Sequence, residues 1–125
     1  SVASLRGSPF LVEFWTFGCY NCKNVIPSMK AWYEELHPRG FEIVAIHSPE
    51  FSFEKAFDNV KEAVAEQGIE YPVAIDNDFG LWRAYGNKYW PTMYLVDAEG
   101  WIRYAHIGEG YYDETRQAVV DLLLE

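Results

Sequence analysis

Cysteine is scarce in this chain, which has only two among its 125 residues. Two cysteines are too few for a disulfide scaffold, and a chain of this length can bury a hydrophobic core without one. The fold therefore does not depend on the pair, which favours a chemical role for it. The same length predicts a single domain over residues 1–125.

Long apolar runs and basic clusters are missing as well. No stretch approaches the roughly 18 consecutive apolar residues of a membrane-spanning helix. Ten basic residues stand against 19 acidic ones, giving a formal net charge of −9, and this sign disfavours nucleic acid and anionic membranes as partners. The chain begins with Ser1 and has no signal-peptide pattern, so we expect a soluble domain, processed or excised from a longer, membrane-anchored protein.

The two cysteines form a Cys-x-x-Cys motif, Cys19-Tyr20-Asn21-Cys22. An apolar run over 10–15 precedes the motif, and a segment with helical periodicity follows it. At such a strand-to-helix turn the first cysteine lies at the helix N-terminus, where the helix dipole and free N–H groups stabilise a thiolate. The motif therefore predicts a reactive dithiol.

The same residues argue against bound metal. A zinc site needs four ligands, and the chain has no second cysteine pair and no closely spaced histidine pair. Haem attachment needs a histidine directly after the motif, where Lys23 stands instead. We therefore expect neither a metal nor an organic cofactor, because the dithiol itself can carry two electrons.

Strand and helix patterns alternate along the chain in the order β-α-β-α-β-α-β-β-α. Buried strands are predicted over 10–15 and 41–46, a short strand over 71–75, and a hairpin of two strands over 93–96 and 101–107. The first helix should end before Pro38 and kink at Pro27. A second helix is predicted from its apolar positions, which are Phe53, Phe57, Val60 and Val64. This order predicts an α/β domain with a central mixed sheet, parallel except for an antiparallel hairpin at one edge, flanked by helices.

This arrangement resembles the thioredoxin fold from Leu5 to the C-terminus. Glu13 stands six residues before Cys19, where thioredoxins carry a buried acid, and Pro27 matches their helix-kinking proline. Trp90-Pro91-Thr92 matches the loop whose proline is cis in the family and packs against the disulfide. Two departures are Gly18, where thioredoxins have Trp, and the Tyr-Asn dipeptide in place of Gly-Pro.

Finer details resemble two subgroups. The lead-in over 5–9 and the insertion over 48–68, between core strands, are similar to extracytoplasmic TlpA/ResA-type proteins. The segment 14–22, with His47-x-Pro49-Glu50 and the Tyr89-Trp90-Pro91 string, most resembles the thioredoxin-like domain of DipZ-type proteins. That resemblance implies an extracytoplasmic location, protein disulfides as substrates and an electron donor protein in the membrane.

The candidate catalytic residues are Cys19, Cys22 and Glu13. Cys19 is the predicted nucleophile, which forms a mixed disulfide with the substrate, and the better-buried Cys22 resolves it. Burial without a partner would raise the pKa of Glu13 and make it a proton acceptor for Cys22. For substrate binding we predict Trp90 and Pro91, together with Tyr20 and Asn21 between the sulfurs.

Several alternatives stay open at this point. The favoured function is a thiol–disulfide oxidoreductase that reduces protein disulfides or relays electrons to them. A disulfide-forming oxidase and a non-catalytic thioredoxin-fold interaction module remain rivals, whereas a peroxidase is disfavoured because the Pro-x-x-x-Thr-x-x-Cys loop is absent. His47 is interpreted as a loop cap in preference to a group that tunes the sulfurs.

Overall fold

The computed structural model describes residues 7–125, so Leu5 and Arg6 of the expected lead-in lie outside the described residues. The strands are β1 (Phe10–Trp15), β2 (Glu42–His47), β3 (Val73–Ile75), β4 (Thr92–Val96) and β5 (Ile102–Ile107). The α-helices are α1 (Tyr20–Leu36), α2 (Phe57–Glu66), α3 (Gly80–Ala84) and α4 (Tyr112–Leu123). The predicted order of strands and helices is confirmed.

The five strands form one mixed sheet in the order β3-β2-β1-β4-β5. β1 runs parallel to β2, β2 runs parallel to β3, and β4 is antiparallel to both β1 and β5. β1 is the central strand and all six of its residues are buried, which explains why it reads as a nearly continuous apolar run. The mixed α/β sheet of a thioredoxin fold is thereby confirmed.

The two faces of β1 pack into different cores because side chains alternate along a strand. Phe10, Val12 and Phe14 pack towards α3. Leu11 and Trp15 pack on the opposite face in a larger core that includes the buried side of α1 and α4. Glu13 shares the parity of Leu11 and Trp15, so its carboxylate belongs to the face that also holds Cys22.

The insertion between β2 and β3 is present, but its prediction as one long helix is wrong. A 3₁₀ turn over Ser52–Lys55 comes first, and extended backbone at Ala56 separates it from α2. Phe53 and Phe57, read as the buried face of that helix, are 53% and 63% exposed. The buried residue of the turn is Glu54, because its carboxylate is the group that finds partners inside the protein.

No helix among residues 7–125 combines the length and the apolar character that a membrane crossing requires.

Candidate active site

The first turn of α1 separates the two cysteines by environment. Cys19 is the N-cap residue, with extended backbone at φ −85° and ψ 119°, and its Sγ accepts the N–H of Cys22 at 3.1 Å. Both cysteines are free thiols, Cys19 partly exposed and Cys22 buried. A reagent or substrate can therefore reach the first sulfur, while the second sulfur faces the core.

The loop that leads to Cys19 is held by hydrogen bonds at three successive amides. The N–H of Phe17 donates to Nε2 of His47 at 3.1 Å, and the N–H of Gly18 donates to Oε2 of Glu54 at 2.8 Å. The N–H of Cys19 donates to the carbonyl oxygen of Thr16 at 3.1 Å. The backbone before the nucleophile candidate is thus fixed by two side chains from other parts of the chain.

His47 ends β2 beside Trp15, its register partner at the end of β1. The imidazole is fully buried, stacks on Phe17 with ring centroids 5.6 Å apart, and lies 3.3 Å from Oγ1 of Thr16. Burial lowers the pKa of His47 to about 4, so near neutral pH the ring is uncharged and Nε2 is free to accept. His47 does bind a loop, and that loop carries Cys19.

Glu13 lies in the middle of β1 and is 1% exposed. Its Oε2 has no hydrogen-bond partner among residues 7–125, and desolvation raises the pKa of Glu13 to about 8. Burial, followed by the negative charge of Glu13, raises the pKa of the Cys22 thiol far above its ordinary value. The carboxyl group and the inner thiol therefore compete for protons in the same apolar environment.

Trp90 and Pro91 enter β4 through a cis peptide bond. The indole Nε1 of Trp90 donates to the carbonyl oxygen of Ser48 at 2.8 Å, and its ring packs against Trp82 with centroids 4.4 Å apart. Trp90 and Cys19 both pack at the edge of the same hydrophobic core. Trp90, predicted to bind substrate, is therefore held by these contacts at the edge of the core that carries the dithiol.

The residues between the cysteines point away from that core. Tyr20 is 75% exposed and Asn21 is exposed as well. Both side chains are therefore available to a molecule that approaches Cys19, as substrate binding would require. Their assignment as substrate-binding residues remains a prediction.

Glu54 is the site residue that sequence reasoning missed. Its carboxylate is fully buried and accepts the N–H groups of Gly18, Glu50 and Phe51 at 2.8, 2.9 and 2.8 Å. One signal was available, namely glycine at position 18 where thioredoxins have Trp. A Cβ at Gly18 would collide with Oε2 of Glu54, so glycine at position 18 leaves room for the carboxylate beside the loop that carries Cys19.

Among residues 7–125, no three His, Cys, Asp or Glu side chains lie close enough together to hold a metal ion.

Comparison with known proteins adds the family. The model of the AhpC/TSA family matches residues 1–105. Protein DipZ of Mycobacterium bovis is 42% identical over 120 residues, which are 96% of this chain but only 17% of DipZ. Thiol-disulfide oxidoreductase YkuV of Bacillus subtilis is 30% identical over 100 residues, 80% of this chain and 67% of YkuV.

Solved structures agree with the fold. A thiol:disulfide interchange protein of the thioredoxin family from Chlorobium tepidum TLS superposes with a TM-score of 0.81 at 29% identity, covering 98% of this chain and 85% of that protein. The chain spans about a sixth of the length of DipZ but two thirds of YkuV. A matched family model and a relative of similar size thus place this chain in the AhpC/TSA family, among its thioredoxin-like thiol–disulfide oxidoreductases.

Proposed function

We propose that this domain reduces disulfide bonds of other proteins, or relays electrons to them, through the Cys19–Cys22 dithiol. The observation that carries the proposal is the asymmetry of the pair. Cys19 is accessible at the start of α1, whereas Cys22 is buried and the negative charge of Glu13 disfavours its thiolate. One sulfur can meet an external disulfide, and the other can act only after the first has reacted.

The reaction proceeds in two thiol–disulfide exchanges. The Cys19 thiolate attacks one sulfur of the substrate disulfide, that S–S bond breaks, and the departing substrate thiolate takes a proton from solvent. Cys22 then loses its proton, attacks Sγ of Cys19 and releases the second substrate thiolate, which is protonated in turn. Two electrons pass to the substrate, and the Cys19–Cys22 disulfide remains.

Glu13 is proposed as the group that takes the proton of Cys22. Because the pKa of Glu13 is about 8, roughly a tenth of the carboxyl groups are ionised at pH 7 and available as a base. The negative charge of an ionised Glu13 also disfavours a premature Cys22 thiolate. Deprotonation of Cys22 is therefore coupled to proton uptake at Glu13.

The proposal extends to the substrate, the electron donor and the cellular location of the domain. We propose that protein disulfides are the substrates, that a membrane protein returns electrons to the dithiol, and that the domain works outside the cytoplasm. These points are supported by the likeness to DipZ, of which this chain matches only 17%. The dithiol carries both electrons, so the reaction as proposed uses no metal and no organic cofactor.

Reduction of insulin disulfides tests the catalytic role. We expect Cys19→Ser to lower the rate to that of the reductant alone, and Cys22→Ser to accumulate a mixed disulfide with insulin that mass spectrometry detects. Glu99→Gln, an exposed variant in the turn between β4 and β5, controls for handling and should remain active. Equal rates for Cys19→Ser and the unmodified protein would instead favour an interaction module without turnover.

The reduction potential of the dithiol tests the direction. A potential near −270 mV fits a reductant, whereas a value near −120 mV is that of a strong oxidant. Equilibration of the Cys19–Cys22 couple with glutathione measures it. A value at the oxidising end would replace the proposed reductase with a disulfide-forming oxidase.

A further inference from the structure

Glu54 is buried beside the dithiol, yet it has no place in the exchange chemistry described above. It lies in the 3₁₀ turn Ser52–Lys55 of the insertion and is 0% exposed. No basic side chain of residues 7–125 forms a salt bridge with it. Burial of a carboxylate is costly unless hydrogen bonds compensate, so its partners indicate what it does.

Those partners divide between its two oxygens. Oε1 accepts the N–H groups of Glu50 and Phe51 at 2.9 and 2.8 Å, both within the insertion. Oε2 accepts the N–H of Gly18 at 2.8 Å, across 36 positions in the sequence. The carboxylate therefore joins the insertion to the residue directly before Cys19, and each of its oxygens is needed as an acceptor.

The glycine at position 18 fits the same interpretation. Gly18 is not among the glycines with positive φ, so its backbone does not call for glycine. Its lack of a side chain is explained by space, because a Cβ would collide with Oε2 of Glu54 and approach Cζ of Phe53 to 3.5 Å. A larger residue at position 18 and the carboxylate of Glu54 cannot both occupy their present places.

We infer that Glu54 is a positioning residue for the nucleophile, acting through its hydrogen bond to Gly18. The bond fixes the loop that places Cys19 as N-cap of α1, where Sγ accepts the N–H of Cys22 at 3.1 Å. This inference rests on the proposed role of Cys19 as nucleophile. It makes the insertion part of the active site, because without that turn nothing holds the amide of Gly18.

The sharpest variant is Glu54→Gln, which keeps the shape of the side chain but has one acceptor oxygen where the site uses two. Reduced protein is mixed with excess 5,5′-dithiobis(2-nitrobenzoate) at pH 7, and the release of thionitrobenzoate gives the rate constant of Cys19. We expect a loss of about tenfold, since small displacements of reacting groups are costly in rate. Glu50→Gln is the matched control, because it removes an exposed carboxylate of the same insertion, and its rate should stay within about twofold.

A spectroscopic signature separates positioning from a general loss of structure. The amide proton of Gly18 in a ¹H–¹⁵N correlation spectrum should move upfield in Glu54→Gln, because its charge-assisted bond is lost, while core methyl signals keep their positions. An unmoved Gly18 signal would overturn the inference. A moved signal with an unchanged Cys19 rate would overturn it equally.

A second route does not depend on folding of Glu54→Gln. Gly18→Ala displaces the carboxylate and should slow Cys19 by about as much as Glu54→Ala. The double variant should be no slower than either single variant, because both remove one interaction. Rate losses that multiply would show independent effects and overturn the inference. Insulin reduction by the unmodified protein is measured alongside: if it is absent, the proposed function fails instead.

Discussion

Two buried glutamates flank the dithiol, and they differ in the hydrogen bonds that their carboxyl groups make. Glu13 lies behind Cys22 with one oxygen unpartnered, whereas Glu54 lies before Cys19 with three N–H groups directed at its two oxygens. The first environment, which offers no partner to that oxygen, favours the neutral acid of Glu13, whereas the second supplies three hydrogen-bond donors to the carboxylate of Glu54. Although both are buried, Glu13 is therefore suited to exchanging a proton, and Glu54 is suited to binding backbone N–H groups.

The largest effect is expected when the well-bonded glutamate is removed. Glu54→Ala leaves the N–H groups of Gly18, Glu50 and Phe51 without their acceptor, which should lower the free energy of unfolding by roughly 4 kcal/mol. Urea denaturation followed by circular dichroism measures it, with the exposed Glu62→Ala as control. A loss as small as that of the control would mean that Glu54 and Glu13 do not differ in the proposed way.

Replacing Glu13, the other glutamate, should raise the free energy of unfolding instead of lowering it. The pKa of Glu13 is about 8 in the folded protein against an ordinary pKa of 4.5, so the unfolded chain gives up this proton more readily. Folding is unpenalised below pH 4.5 and increasingly penalised as the pH rises to 8. Glu13→Gln should therefore stabilise the protein by about 4 kcal/mol at pH 8 and by little at pH 4.5.

Urea midpoints measured between pH 4.5 and pH 8 check this slope. The exposed Glu99→Gln serves as the matched control and should show no such trend. A stabilisation by Glu13→Gln that is the same at every pH would contradict a protonated Glu13 in the folded state.

A smaller effect is expected at His47, which holds the neighbouring amide of Phe17. Its pKa is about 4 in the folded protein against an ordinary pKa of 6.5, so the unfolded chain binds the proton first. This contribution to stability is complete above pH 6.5 and is lost as the pH falls towards 4, by about 3 kcal/mol. In His47→Asn, the loss of unfolding free energy between pH 6.5 and pH 4 should be smaller by this amount when urea midpoints are measured across that range. If the loss is the same as in the unmodified protein, other groups cause it.

The fold and the sulfur chemistry could be predicted because their signals are local. A buried central strand shows as the apolar run of β1, and Cys19 and Cys22 are three positions apart on one helical turn. Glu13 was identifiable as a charge within that run. In each case neighbouring residues carry the information, so no knowledge of distant contacts was needed.

Glu54 and His47 could not be assigned in the same way. Each binds a backbone N–H, of Gly18 or Phe17, more than 29 positions earlier in the chain, and a backbone amide has no identity in the sequence. The aromatic residues Phe53 and Phe57 also suggested a buried helix face where the structure exposes them. The 3₁₀ turn Ser52–Lys55 was misread because its buried residue, Glu54, is charged.

The contact between Gly18 and Glu54 has a consequence for protein engineering and for sequence evolution. A loop carrying Cys-x-x-Cys is often treated as a cassette that can be exchanged between related scaffolds. Here the residue before the first cysteine is matched to a turn 36 positions away, so the two segments form one transferable unit. Grafting residues 16–22 alone would leave the N–H of Gly18 without its acceptor, the carboxylate of Glu54. A substitution at either of these two positions also limits which residues the other position can accept.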